Sequence, residues 1–363
     1  MNRRMLLVEV MAWLLMGCWG AGNVMAQSTP SNSLLALAKR DSTLAIVDPT
    51  TLKVVAKVPC GPDPHEVIAS PDGKLAYVSN YGGGAYNTIS VIDLVAQKAL
   101  PPIDLGVLHG PHGLTFAGEK LYFTAETNKV IGTYDPATGK VDWILGTGQN
   151  RTHMVEVSKD LARIFTSNVA SATVSIIEKT MRPTGPPPGG PGGPPPSGPG
   201  GGGPPPNAPR GPATDWNETV VPVGRGSEGF DVTPDGKELW VTNAGDGTIS
   251  IIDIAGKKVT QTLDANVRGA NRLKFTLDGK LAFVSSLGGA DLAVFDVSSR
   301  KEMKRIKLGH GAAGILMQPD GARVYVACSP DNYVAVIDLK TMEVVGRVEP
   351  GTEPDGLAWA ARQ

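Results

Sequence analysis

The sequence predicts an all-β fold: a seven-bladed β-propeller of four-stranded antiparallel blades, closed by a blade that the N- and C-terminal segments share. Three observations predict it. An apolar run ending in an acidic residue returns seven times, as in Ile89-Ser90-Val91-Ile92-Asp93 and Ile249-Ser250-Ile251-Ile252-Asp253, with anchors at Asp48, Asp93, Asp135, Glu178, Asp253, Asp296 and Asp338. The intervals are 45, 42, 43, 75, 43 and 42 residues, a blade-sized period whose one long member contains a Pro/Gly tract. Finally, residues 355–360 supply an innermost strand with nothing after it, while residues 34–59 supply three outer strands with nothing before them. Together they complete one more blade and leave no free sheet edge.

Ahead of the repeat, Arg3-Arg4, an apolar stretch from Met5 to Met16 and small residues leading to Val24-Met25-Ala26 have the form of an export signal, 1–26. The mature chain then starts at Gln27 in the periplasm or outside the cell, with 27–33 as a flexible lead-in to a propeller over 34–363. Leu15-Met16-Gly17-Cys18 resembles a lipoprotein cleavage box, which offers Cys18 as a lipid anchor, and the arginine pair weakly resembles a twin-arginine signal. No later run of about 18 apolar residues follows, so no spanning helix is expected.

One blade serves as the pattern for the rest. In residues 64–106, His65-Glu66-Val67-Ile68-Ala69 reads as the innermost strand, Ser70-Pro71-Asp72-Gly73 as a tight turn and Leu75 to Asn80 as the second strand. Proline presets φ, aspartate bonds back to the backbone and glycine takes the left-handed position. Pro234-Asp235-Gly236, Leu277-Asp278-Gly279 and Pro319-Asp320-Gly321 repeat the turn. The third strand, Thr88 to Asp93, is nearly all apolar, as a strand covered on both faces must be. Its terminal carboxylate suits an Asx-turn, a structural role for all seven anchors.

Residues 183–212 are almost entirely Pro and Gly and cannot bury a core. They read as a disordered or partly polyproline insertion within the third blade, between a third strand at 173–178 and a fourth at 219–223. Formal charge is −1 from 34 basic and 35 acidic residues with no basic block, which excludes an electrostatic footprint for nucleic acid. Cys60 and Cys328 lack CxxC or CxxCH spacing, excluding a covalent c-type haem and favouring two isolated thiols.

Tyr77-Val78-Ser79-Asn80, Trp240-Val241-Thr242-Asn243 and Tyr325-Val326-Ala327-Cys328, each after a Pro-Asp-Gly turn, resemble the YVTN β-propeller repeat, as do the later Ile-Ser-Val-Ile-Asp strand and a closing Val-Gly. The resemblance covers residues 34–360 apart from the Pro/Gly tract. The turns at Phe116-Ala117-Gly118-Glu119 and Ser158-Lys159-Asp160 depart from the motif. It implies a YncE-like exported propeller, related in fold to lactonase-type propellers and to the haem-d1 domain of nitrite reductases. These relatives do not share one activity, so fold alone leaves function open.

Aligning the blades on their turns places His65, His112, His153, Glu228, Asn271, Ala313 and Asp355 at the start of the innermost strands, facing the central channel. Three of the five histidines fall there on consecutive blades; His109 and His310 lie in connections on the same face. His65, His112, His153, Glu228, Asn271 and Asp355 are therefore the candidate binding residues. His65, His112 and His153 are a candidate set for a divalent metal, the one cofactor these residues suggest, though zinc needs nitrogens at about 2.0–2.1 Å. A polar rim around a water-filled channel is the plain alternative. Asn80, Tyr81 and Tyr86 around Gly82-Gly83-Gly84, with Asn168, Asn243 and Arg272, add polar groups on this face. With no Ser/His/Asp elbow or phosphate loop, the expectation is an exported binding or scaffolding module that takes a small molecule or an exported protein at the channel mouth. The alternative is a lactonase-like or metal-dependent hydrolase, with Glu228 or a ring histidine as general base and Arg272 or a bound cation polarising the carbonyl.

Overall fold

Each of the seven acidic anchors stands in the third strand of its own four-stranded antiparallel sheet. In this computed structural model the described residues are 28–181 and 214–362; the expected export signal, Cys18 and the Pro/Gly tract at 183–212 lie outside them. Six blades run in chain order over residues 64–104, 111–146, 152–222, 227–264, 270–307 and 312–348. The seventh joins Pro354–Ala361 to Asn32–Ala38, Thr43–Asp48 and Lys53–Pro59, as the unpaired ends predict. The chain is therefore a seven-bladed β-propeller, with a three-residue 3-10 turn, Gly82–Gly84, as the one helical element among the described residues. No helix there is long and apolar enough to cross a membrane.

Apolar alternation explains the stacking. The third strand of the first blade, Thr88–Asp93, is buried along its middle, whereas the outer strand Lys98–Asp104 is mostly exposed. Seven apolar clusters each join two neighbouring blades: Leu37, Ile46, Val67 and Ile92 lie between the seventh and first, Trp240, Ile251, Leu273 and Phe275 between the fourth and fifth. No blade hides its surface alone, so the ring is stable only when closed.

The local chemistry fits the reading with informative exceptions. Backbone N–H groups donate to the Asp anchors at Asp48, Asp93, Asp135, Asp253, Asp296 and Asp338, but Glu178 instead pairs with Arg163 and Lys257. There the strand continues to Met181, which pairs in register with Thr214, so the fourth strand is Thr214–Pro222 rather than 219–223. Gly73, Gly236, Gly279 and Gly321 take the left-handed turn position; in the third blade Leu161 does so, and in the second Gly118 and Glu119 are both left-handed, as a two-residue hairpin of the mirror type requires. The lead-in expected to be flexible is docked from Thr29 onward: Thr29 is buried and donates to the Leu94 carbonyl at 2.5 Å, and a strand begins at Asn32. Cys60 and Cys328 are both free thiols.

Candidate functional site

The backbone enters the bore in the same way seven times. The residue before each innermost strand, Asp63, Gly110, Arg151, Gly226, Gly269, Gly311 and Glu353, is left-handed, with φ from 48 to 71°. Glycine accepts this freely, whereas other residues pay about 1 kcal/mol. The three exceptions are charged, and each engages a neighbour: Asp63 with His65, Arg151 with Glu126, Glu353 with Arg40. A β-bulge then falls between the first and fourth residues of every innermost strand. Bulges re-aim side chains, and here they turn the second residue of each strand to the axis. All seven expected ring residues line one cavity of about 160 Å³. The third residue is Gly113, Gly229, Gly314 or Gly356 in four blades, because a Cβ there would meet the next blade's carbonyl oxygen at 2.3–2.5 Å.

The ring is crowded on one side. The His112 and His153 rings stand 3.8 Å apart between centroids, His65 and His112 5.1 Å apart, and Tyr81 packs edge-on against His65 and His112. His153 is bracketed by two carboxylates. Its Nδ1 makes a close hydrogen bond to Glu126 Oε1, and its Nε2 lies 2.9 Å from Glu228 Oε2, outside hydrogen-bond alignment. Burial opposes charge on this ring, but Glu228 and Glu126 outweigh it and raise the pKa above the usual histidine value. His112 shifts the other way: burial, then the charge of His153, lower it well below that value, and its Nδ1 is buried with no hydrogen-bond partner. His65 turns Nε2 to Asp63 at 3.2 Å and Nδ1 to Asp355 at 3.6 Å, and Lys39 Nζ reaches Asp355 at 3.3 Å.

The expected catalytic pair is differently employed. Glu228 and Arg272 both line the cavity. Burial alone would raise the Glu228 carboxyl, but His153, Arg272 and Arg151 hold it down to about 2, which makes it a very weak base. Arg272 donates through Nη2 to Glu66 on the first blade, leaving Nη1 buried without a partner. The pair links the fifth blade to the first, and Arg272 lines both the 160 Å³ upper chamber and a lower one of about 580 Å³, which Glu66, Glu156, Asp231, Lys274 and Trp359 also line.

Several sequence candidates fall outside the site. Asn80, Asn168 and Asn243 are fully buried structural clamps, each donating from Nδ2 to the Thr and Ser hydroxyls of the adjacent third strand, such as Thr88 and Ser90. The triple-glycine segment forms a 3-10 turn whose last carbonyl, Gly84 O, accepts from the Thr127 hydroxyl at 2.7 Å. His109, half-buried, and His310, exposed, both lie outside the cavity. Of the three histidines considered for a metal, His112 and His153 have donor atoms within 4.8 Å of each other and of Glu126, whereas His65 is engaged by Asp63 and Asp355. Glu126 directly follows the second strand of its blade, a position also held by Lys39, Tyr81, Leu287 and Ser329 at the cavity wall. That register was available from the alignment, but its mixed residues carry no recurring signal.

No family profile and no curated protein matches the chain by sequence. Solved structures do match in shape. A functionally unknown protein from Desulfotomaculum acetoxidans is 13% identical with a TM-score of 0.69, covering 92% of this chain and 100% of its own. A candidate 6-phosphogluconolactonase from Bacteroides fragilis is 16% identical with a TM-score of 0.67, over 92% and 99% of the two chains. A dihydro-haem d1 dehydrogenase solved with its ligand is 14% identical with a TM-score of 0.60, over 90% of this chain and 65% of that one. At such identities the likeness extends to the propeller fold.

Proposed function

We propose that this propeller is an exported binding module whose upper chamber takes a small anionic molecule, of the carboxylate type. The observation that carries the reading is the unpartnered Nη1 of Arg272, a side chain 9% exposed at the chamber floor. A buried guanidinium nitrogen without an acceptor costs free energy, and a ligand oxygen would relieve it. The ring carboxylates have cationic neighbours already: Glu228 has His153 and Arg151, Asp355 has Lys39. The unmet donor is thus at Arg272, with Asn271 and Lys39 lining the same chamber. A cavity of about 160 Å³ suits a molecule of few heavy atoms. The lactonase-like neighbour keeps a hydrolase in view, but Glu228 held near 2 is a poor base for it and leaves that role to the ring histidines.

Calorimetric titration with small mono-, di- and tricarboxylates, against neutral sugars and amines, tests this. Acids should bind and the others should not. In the Glu66→Gln/Arg272→Gln pair, which removes both buried charges together, affinity should fall at least tenfold with the melting temperature little changed. Unaltered carboxylate binding in that variant, or no carboxylate binding by the native chain, overturns the reading.

A further inference from the structure

The wall between the second and third blades holds a group that the anion reading does not use. His112 comes from the innermost strand of the second blade, Glu126 from the turn between that blade's second and third strands, and His153 from the third blade. All three are at most 5% exposed, and their donor atoms lie within 4.8 Å of one another. Two imidazoles and one carboxylate are the donor set that first-row divalent cations take, with zinc the best fit.

We infer that His112, Glu126 and His153 form a binding site for a first-row divalent cation of the Zn²⁺ class, open on its remaining side to the upper chamber. Three features beyond proximity support the assignment. His112 Nδ1 is buried and unpartnered, which is costly unless something occupies the space beside it. Glu126 is oriented by two outer groups: Tyr81 Oη donates to it at 2.6 Å and Arg151 Nε at 3.2 Å. His153 also has a second carboxylate, Glu228 Oε2, 2.9 Å from its Nε2, close enough for a small ring rotation to make the carboxylate–histidine contact that orients metal ligands. Tetrahedral zinc with bonds of about 2.0–2.3 Å needs ligand atoms roughly 3.5 Å apart, which small side-chain rotations supply. The cation displaces the proton now held between His153 and Glu126, and this proton leaves to solvent. Glu126 as ligand and Glu228 behind His153 offset the two charges of the ion, with Arg151 beside both carboxylates.

The test is titration of chelator-stripped, untagged full-length chain with Co²⁺ alone, read by visible absorption, with Zn²⁺ competition to count sites. One equivalent should bind with the intense band of low-coordinate Co²⁺, and Zn²⁺ should displace it one for one. His112→Ala and Glu126→Gln should weaken binding by roughly 100-fold, whereas His65→Ala should leave it within about threefold. The Glu66→Gln/Arg272→Gln chain should still take the ion, which separates this inference from the anion reading. The native chain alone decides if a ligand variant does not fold: absence of stoichiometric Co²⁺ binding overturns the site. Equal binding by folded His112→Ala, or loss in His65→Ala as large as in His112→Ala, overturns it as well.

Discussion

Glu156 lines the lower chamber beside Asp231 and Lys274, and makes no hydrogen bond of its own there, while Lys274 Nζ donates to Asp231 at 3.0 Å. Burial, then the neighbouring Asp231 carboxylate, push its pKa up to about 7 against the pull of Lys274. A raised carboxyl keeps its proton longer in the folded chain than in the unfolded one. Between the ordinary glutamate value, about 4.3, and 7 the native state therefore binds more protons, and stability falls as pH rises through that window. Glu156→Gln, which resembles the protonated form, should match the native chain near pH 4.5 and exceed it at pH 8 by on the order of 1–3 kcal/mol. Melting curves at the two pH values check this; parallel pH trends in both chains would count against it. Residues also mark the limit of sequence reading. The ring was legible because seven turns set one register, and all seven positions do line the cavity. Glu126, Arg151 and Glu66 were not, because each acts through a partner on another strand or blade, as far as 206 residues away for Glu66 and Arg272. Linear spacing does not encode which side chain a bulge swings across a bore.

Elements were more legible than contacts, since the strands obey a period of two and the turns carry their own chemistry. The motif itself now has a physical account. The asparagine that ends Tyr77-Val78-Ser79-Asn80 is the donor to Thr88 and Ser90, so the end of the second strand and the Thr-x-Ser start of the third are two halves of one clamp. The strand least like its neighbours is the last, Pro354–Ala361, which pairs with Asn32–Ala38 across the chain ends, matching Leu34 with Trp359 and Asn32 with Ala361. Removing residues 352–363 deletes this one strand yet exposes the edge of Asn32–Ala38 and uncovers the cluster around Leu35, Leu37 and Ala358. Such a chain should unfold or aggregate at temperatures where the intact one is native. Deleting 185–211 should instead leave the melting temperature nearly unchanged, since loop-closure entropy varies slowly with length. Comparable melts for the two deletions would break the argument for closure by the terminal strand.

At the scale of the whole molecule, stability is circular: seven blade interfaces, none privileged, with the covalent chain interrupted at one blade and its ends held by hydrogen bonds. Nothing in the packing requires the break to lie where it does. Arg362 N donates to the Ser31 carbonyl at 2.8 Å, so the two ends already run side by side. The Pro/Gly tract, meanwhile, joins Met181 and Thr214, which are register partners on adjacent strands of the third blade. A permuted chain that joins residue 362 to residue 28 through a short Gly/Ser linker and opens within 183–212 would therefore keep every interface, with the third blade becoming the one completed from both ends. It should fold, melt close to the parent and bind the same small ligands, because the upper chamber is built from bulged strand starts that the permutation leaves intact. Circular dichroism melts and the carboxylate titration on the permutant provide the measurement. Failure to fold would mean that the seventh blade, with Thr29 anchored on Leu94, supplies closure that no other blade can replace.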